Sequence, residues 1–235
     1  MTGAVTAAAL ALATTRPQLS LVAEPARVQI DGTGSQTITV ANRGSQPVVL
    51  DVQRAGFALD LRGQPRIVAA ARAAWLSVRP KRVAIAAGSA ATVTVRATVP
   101  RGARPGDHAS LLLLGSRPLV RGAVAVRMRL GVVVVLRVPG RVVHRLAVLR
   151  VRARQRLITV RLANRGNVAE QLTGGRVVMT LWRRGKEVGR AAALPRELLP
   201  GATGDIEFRY RGPLRGPVIG RLGRKPPGPP FRLVL

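Results

Sequence analysis

One short segment of the chain brings together the residue types of a serine hydrolase. Asp107, His108 and Ser110 stand close together in the sequence. In a Ser-His-Asp triad the histidine lies between the other two side chains and accepts the serine proton. Neighbouring strand residues point to opposite faces, so Asp107 and His108 diverge, and no Gly-x-Ser-x-Gly turn is present. We therefore interpret residues 105–107 as a turn and expect His108 to bond back to a backbone group.

The remaining carboxylates and histidines do not form a second catalytic or metal site. Asp205 and Glu207 are two residues apart on one predicted strand, where a solvated face explains them better than the paired carboxylates of a glycosidase. His144 is isolated among arginines, and the chain contains no cysteine. No Walker A loop or Rossmann fingerprint is present. We expect a protein that is not an enzyme and that uses no metal and no cofactor.

Arginines at alternate positions form the best candidate binding site in the sequence. In an extended chain, side chains two residues apart point to the same face. The predicted anion-binding ladder and its neighbours are Arg145, Arg150, Arg152, Arg154, Arg156 and Arg161. Each phosphate that such a ladder neutralised would make binding more sensitive to salt. The alternative is a hairpin tip of solvated arginines near residues 154–155.

The overall charge has two explanations that the sequence does not separate. The 39 Lys and Arg residues against 10 Asp and Glu give a net charge of +29, all of it carried by residues 61–235. Such a surface favours polyanions, but arginine-rich, lysine-poor usage is also typical of a high-GC genome. Binders of single-stranded nucleic acid interleave aromatic residues, and this chain has only six, so nucleic acid is disfavoured. We expect Trp75 and Trp182 to anchor the cores of two domains.

The elements that carry these residues are predicted to be strands. Apolar and polar residues alternate in short segments separated by Gly, Asn and Pro turns, which indicates an all-β sandwich or barrel. Residues 68–74 are the one helix candidate and are expected to form at most one helical turn. The alternating segments are residues 36–40, 48–52, 91–95, 124–130, 157–162, 177–181 and 206–210.

An internal repeat divides the chain into two similar halves. Ala-Asn-Arg-Gly follows an alternating strand at residues 41–44 and again at residues 163–166, and a glycine turn precedes another strand at Gly88 and at Gly201. We therefore predict two tandem Ig-like β-sandwich domains, residues 17–138 and 139–235. The proline-rich stretch before residue 231 is expected to be a loop before a last edge strand.

The first residues of the chain resemble an export signal. Residues 2–15 are uncharged and mostly apolar, too short to span a bilayer, and they contain an Ala-x-Ala pattern at residues 11–13. No positively charged residue precedes them. We interpret residues 1–16 as a truncated signal-like segment, the alternative being an Ala-rich tail, and predict an extracytoplasmic protein.

Several segments together resemble a family of bacterial surface proteins. These are residues 25–52 (PARVQID…SQTITVANRGSQPVVLDV), residues 75–80 with Trp75, the Gly88 turn and residues 99–108. They are similar to the WxL-interacting, DUF916-like proteins of actinobacterial type, which carry two Ig-like domains. The resemblance implies binding of peptidoglycan by the first domain and of a partner by the second. This chain departs from that family in having no evident C-terminal membrane helix.

The function predicted from these observations is binding rather than catalysis. We expect an exported cell-surface or cell-envelope protein that docks protein partners, peptidoglycan or an anionic wall polymer through its Ig-like domains. Periplasmic pilus chaperones are also similar in length, in having two Ig-like domains, and in the strand end at residues 39–42. The alternative is therefore a chaperone of this type, which donates a β-strand to its clients.

Overall fold

The computed structural model describes residues 20–121, 124–154, 157–172, 178–210, 216–223 and 231–234. These residues form two β-sandwiches in tandem, and the predicted all-β, Ig-like fold class is confirmed. The only helical element among them is a 3-10 turn, Ala70–Ala73, which falls within the one helix candidate of the sequence. None of the described helical segments has the length and apolarity to cross a bilayer.

Among the described residues the first sandwich contains twelve strands, ten in two sheets and two in a separate hairpin. The smaller sheet has the order β1-β3-β8-β6 and the larger one β2-β12-β9-β4-β5, with β7 beside β4 and the hairpin formed by β10 and β11. The strands are β1 (Leu21–Glu24), β2 (Arg27–Asp31), β3 (Gly34–Asn42), β4 (Val48–Leu59), β5 (Pro65–Val68), β6 (Leu76–Arg79), β7 (Arg82–Ile85), β8 (Ala90–Ala97), β9 (Gly106–Ser116), β10 (Leu119–Arg121), β11 (Val124–Val126) and β12 (Arg129–Val138).

Alternate residues of these strands build the first core. Ile38 and Val40 of β3 face Leu112 and Leu114 of β9, and all four side chains are fully buried. Leu136 of β12 belongs to the same apolar cluster. The intervening residues of β3 are polar and exposed, so the period of two in the sequence separates core from solvent.

The second sandwich also consists of strands, nine of them within the described residues. One sheet has the order β13-β14-β19, another has β17-β16-β20-β21, and β15 pairs with β18. Its core centres on Phe208, with Ile158, Leu162 and Leu181 around it. The strands are β13 (Leu146–Arg154), β14 (Leu157–Asn164), β15 (Glu170–Gln171), β16 (Val178–Arg183), β17 (Lys186–Ala192), β18 (Glu197–Leu198), β19 (Thr203–Arg209), β20 (Pro217–Gly223) and β21 (Phe231–Val234).

The repeated Ala-Asn-Arg-Gly motif has the same structure in both sandwiches. Asn42 ends β3 and Asn164 ends β14, and each side chain is buried. Each Nδ2 donates to the carbonyl four residues later, at Gln46 and Val168, and each Oδ1 accepts from a glycine N–H two residues later. The asparagine thus closes the turn that follows the strand, which gives the sequence repeat a physical reason.

A third apolar cluster joins the two sandwiches. Phe57 and Leu111, on the outer face of the larger first sheet, pack against Leu199 of the second sandwich, with Ala169 and Ala202 beside them. The larger sheet is therefore covered on both faces where the second sandwich meets it. Further along, the same outer face is open to solvent.

Candidate functional site: the half-covered edge of strand β12

Strand β12 is paired along only half of one edge. On one side β9 pairs with it from Arg129 to Val138. On the other side β2 runs parallel to it, and the pairing begins at Val133 opposite Arg27. Within the described part of the chain, no strand pairs with residues 129–132 on that side. This stretch therefore presents an open sheet edge, which is a template for another strand.

The orientation of the backbone identifies which groups lie on this edge. Val133 donates its N–H to Ala26, and Arg137 accepts from Gly32, so the odd-numbered residues of β12 direct their backbone polar groups towards β2. By the alternation of a strand, Arg129 and Gly131 direct theirs to the same side, beyond the end of β2. These two residues supply N–H and C=O groups for an incoming strand.

The sequence of this edge alternates over its whole length. Apolar residues occupy even positions from Val124 to Val132, a range that includes β11, which pairs with β10, and the start of β12. Met128 and Leu130 are half-buried, whereas Arg127 and Arg129 are exposed. An alternating strand of this kind is suited to a partner that is apolar on one face only.

A shallow depression of about 280 Å³ adjoins the open edge on the outer face of the larger sheet. Gly115 and Leu113 form part of its floor, and a Cβ on Gly115 would meet no atom within 4 Å. Arg127 and Arg129 line one side, and Ile67, 53% exposed, lines another. Asp51, Gln53 and Ser116 complete the lining, so the depression is mixed polar and apolar, with charges of both signs.

A buried carboxylate links the two sandwiches. Asp107, the second residue of β9, accepts two hydrogen bonds from Arg137, at 2.7 and 2.9 Å, and one from the Ala169 N–H at 2.8 Å. Burial raises the pKa of Asp107, but the hydrogen bonds from Arg137 and Ala169 outweigh it and hold that pKa below its ordinary value. The carboxylate is therefore charged, and it links β12 to the second sandwich.

Gly106 lets the backbone of the two sandwiches approach at this point. Its φ is +122°, and a Cβ would collide with the carbonyl oxygen of Asn167. Asn167 in turn donates its side-chain amide to the carbonyl of Pro105 and accepts from the N–H of Val143. The turn predicted at residues 105–107 is thus part of the joint between the sandwiches.

Two further contacts cross between the sandwiches. The turn after β4 reaches β19, where Leu61 accepts a hydrogen bond from the Asp205 N–H at 2.8 Å. Arg27 of β2 forms an ion pair with Glu197 of β18 at 2.8 Å. These contacts hold β2 and the outer face of the larger sheet in a fixed position beside the second sandwich.

The hydrolase triad is absent from the structure. His108 Nε2 lies 2.9 Å from the carbonyl oxygen of Arg104, so the histidine bonds back to the backbone as expected. Ser110 is fully buried, and its hydroxyl has no hydrogen-bond partner among the described atoms. Asp107 forms an ion pair with Arg137 instead. The three residues therefore do not act together as a catalytic triad.

The structure corrects one of the two tryptophan predictions. Trp75 packs against the first core, as expected. Trp182 does not belong to the second core: it lies half-buried on the outer face of β16, with the Arg221 guanidinium 5.5 Å from its ring centre. Phe208 fills the central position instead. Trp182 is even-numbered, like the exterior residue Thr180, and the core residues Met179 and Leu181 are odd-numbered, so its place follows from the period of two.

The predicted arginine ladder lies on the second sandwich, on and around β13, the strand that follows β12 in the sequence. Arg150, Arg152 and Arg154 of β13 are exposed on one face, as their spacing predicted. Arg145 precedes the strand, and Arg161 of β14 is held by Asp205 at 2.7 Å. That ion pair lowers the pKa of Asp205. Arg156 lies outside the described residues, and the binding role of the ladder stays a prediction.

The open edge of β12 was not predicted from the sequence. The alternation at residues 124–130 predicts a strand there but does not show that β2 covers only the far half of β12. The signal was present as a length: residues 27–31 are too few to pair with the ten residues of β12. The joint at Asp107 and Arg137 carried no such signal, because these residues are 30 positions apart.

The comparisons with known proteins locate this fold among fimbrial chaperones. No protein-family model matches the chain, and no curated protein matches it in sequence. Among solved structures, the class 5 fimbriae chaperone CfaA matches with a TM-score of 0.55 and 12% identity, covering 92% of this chain and 98% of that one. A chaperone–tip adhesin complex of CFA/I fimbriae biogenesis matches with a TM-score of 0.54 and 11% identity, covering 92% of this chain and 98% of that one. The YadV chaperone matches with a TM-score of 0.52 and 13% identity, covering 91% of this chain and 99% of that one.

These matches overturn the function that the sequence analysis favoured. A surface protein that docks envelope partners, peptidoglycan or an anionic wall polymer is wrong as the main interpretation, because matches over nearly the whole chain are to chaperones. The similarity to DUF916-like proteins gains no support and stays a prediction. The chain has the two-domain Ig-like fold of fimbrial chaperones.

Proposed function

We propose that this protein is an extracytoplasmic, non-enzymatic chaperone that holds fimbrial subunits by pairing β12 with an incomplete sheet of its client. The observation that carries the proposal is the half-covered edge of β12, residues 129–132, in a fold shared with fimbrial chaperones. The partners are protein subunits of the kind named in the complex with a tip adhesin. The extracytoplasmic location predicted from residues 1–16 agrees with this function.

Strand addition lets such a chaperone bind its clients tightly and accept clients of different sequence. Main-chain hydrogen bonds to Arg129 and Gly131 would hold any client strand, whatever its sequence. The even-numbered apolar residues that follow β11, such as Leu130, would select clients with an unfilled apolar groove. A client that lacks a strand exposes such a groove and aggregates unless the groove is filled.

The rigid joint supports this mechanism. Asp107 and Arg137 fix the far end of β12, and Arg27 and Glu197 fix the end of β2 where the open edge begins. Because both β12 and β2 are fixed, the open edge loses little conformational freedom when a client binds. The binding edge would therefore be preorganised.

The test removes one backbone N–H group from the open edge. Gly131→Pro removes the N–H that an incoming strand would use, and an edge strand tolerates proline where that N–H faces away from the sheet. Gly131→Ala is the matched control, because a Cβ there lies 3.6 Å from Leu111 Cδ2, an ordinary contact, and the N–H is kept. A pilin-like subunit from the same genome is expressed with each variant in the envelope of a bacterial host, and its soluble yield and copurification are measured.

We expect the wild type and Gly131→Ala to raise the soluble yield of the subunit and to copurify with it, and Gly131→Pro to do neither. Thermal unfolding of the isolated variants establishes that both are folded. If folded Gly131→Pro protects the subunit as well as Gly131→Ala does, strand addition at β12 is excluded. If the wild type protects no subunit, the chaperone function itself is excluded.

A further inference from the structure

The first strand of the second sandwich has a second open edge of different chemistry. β13 pairs with β14 on one side, and among the described residues no strand pairs with its other side, although β21 of the other sheet passes close to β13. A bulge between Val148 and Arg150 interrupts the pairing, and the regular stretch runs from Arg150 to Arg154. Along this stretch every second residue is an arginine, and Val151 and Ala153 between them pack against the core.

The arginines of this edge are available for binding. Arg150, Arg152 and Arg154 are exposed. Within the described part of the chain none of them forms a salt bridge, although the charge of Arg152 helps to lower the pKa of the nearby Asp205. Opposite Arg150, on β14, Arg161 is already engaged by Asp205. The cationic charge is therefore concentrated at the outer margin of the sheet, on the strand whose far side is open.

The equivalent sheet of the first sandwich argues against base composition as the cause. Its central exterior positions on β3 and β8 are threonines, arranged as cross-strand pairs between Thr39 and Thr92 and between Thr37 and Thr94. All four threonine side chains are exposed. The sheet also has exposed arginines, Arg79 on β6 and Arg96 on β8, but no strand of it carries arginines at successive alternate positions. A genome-wide preference for arginine would act on both sheets alike, so the alternating row of arginines is particular to β13.

We propose that the open edge of β13 binds an extended acidic segment of a partner protein, with carboxylates at alternate positions. A strand added to β13 would place every second side chain about 5 Å from Arg150, Arg152 or Arg154, the distance at which opposite charges pair across strands. The same arginines would repel a second copy of β13, so the edge excludes self-association and selects an acidic strand. This interaction is separate from the client site on β12.

The register of the arginines favours a strand over an anionic bilayer. A charged membrane surface attracts the total number of nearby cations, whatever their order along the strand. Here the cations follow the period of two along an unpaired edge and end where the bulge begins at Val148. An extended partner is the ligand whose own period matches that arrangement.

The experiment uses two short synthetic peptides of identical composition. In one, Glu alternates with Thr and Val, and in the other the Glu residues are contiguous. Binding to the full chain is measured by fluorescence anisotropy at about 0.15 M salt, where screening limits long-range attraction. We expect the alternating peptide to bind roughly tenfold more tightly, as three cross-strand ion pairs would give. Equal binding of the two peptides would overturn the proposal.

Matched charge variants complete the test. Arg150, Arg152 and Arg154 are changed together to Gln, and the control changes three exposed arginines of the first sandwich to Gln, namely Arg43, Arg66 and Arg101. We expect only the β13 variant to lose the preference for the alternating peptide, while client binding through β12 is unchanged in both. Equal loss in the two variants would show a net-charge effect. Binding of phosphatidylglycerol vesicles that depends on Arg150, Arg152 and Arg154, without peptide preference, would assign the edge to a membrane instead.

Discussion

The two sandwiches begin in the same way and then diverge. In the first, Leu21 of β1 is paired with Asn42, and in the second, Leu146 of β13 is paired with Asn164. β1 ends after four residues, and the chain crosses to the opposite sheet as β2, whereas β13 continues along its edge for nine residues. Within the described residues, this early crossing brings β2 beside part of β12 in the first sandwich, whereas in the second β13 keeps the edge position along its whole length.

The largest expected effect concerns the corner that both sandwiches share. Asn42→Ala and Asn164→Ala each remove a buried amide, leaving the carbonyls of Gln46 and Val168 and the turn glycines without partners. Each variant should lose about 2–4 kcal/mol of unfolding free energy, since buried polar groups are left unpaired. Chemical denaturation of each variant measures it.

A surface substitution on the same strand serves as the control for that corner. Gln36→Ala, at an exposed position of β3, should change stability by less than about 0.5 kcal/mol. A near-neutral Asn164→Ala beside a costly Asn42→Ala would mean that the repeat is one of sequence only, and that the second turn is held by other contacts.

The next effect concerns the joint between the sandwiches. Asp107→Asn leaves the Arg137 guanidinium without its charge partner and weakens the bond to Ala169. Because Arg137 is partly exposed, we expect a loss of about 2 kcal/mol rather than the full penalty of a buried broken pair. Asp51→Asn is the control: its pair with Arg82 is exposed and should contribute less than about 1 kcal/mol. Equal losses of stability in the two variants would show that Asp107 does not hold the joint between the sandwiches.

Acid should weaken the same joint. The pKa of Asp107 is lowered in the folded protein, so its charge stabilises the fold above the ordinary aspartate pKa of about 3.9 and that stabilisation is lost as the pH falls below it. The stability difference between the wild type and Asp107→Asn should therefore shrink between pH 6 and pH 3, values chosen to span about two units above and one below that pKa. A difference that stays constant over this range would contradict a charged Asp107.

The smallest expected effect on stability concerns two serines of β9. Ser110 has a buried hydroxyl with no hydrogen-bond partner among the described atoms, whereas Ser116 accepts the Met128 N–H at 2.9 Å. Ser110→Ala should leave stability unchanged or raise it by up to about 1 kcal/mol, and Ser116→Ala should lower it by about 1 kcal/mol. Thermal unfolding of the two variants shows which is the more stable. A Ser110→Ala variant that is less stable than Ser116→Ala would contradict an unpaired hydroxyl at Ser110.

The sequence was informative where a local pattern determines the structure. The alternation of β3 and β14, the asparagine corners, and the shared face of Arg150, Arg152 and Arg154 all depend on residues close together in the chain. The crossing from β1 to β2 was not predictable in this way, because it is decided by which distant strand offers an edge. The placement of Trp182 failed because residue size was given more weight than the strand period.

The most direct measurement is amide hydrogen exchange in a complex with a fimbrial subunit. If clients bind by strand addition at β12, exchange at Arg129 and Gly131 slows by at least about tenfold on binding, because their N–H groups enter a new ladder. The amides of Arg150 to Arg154 should exchange at the same rate in the free and bound protein. A stable complex in which Arg129 and Gly131 exchange as fast as in the free chain would contradict strand addition at β12.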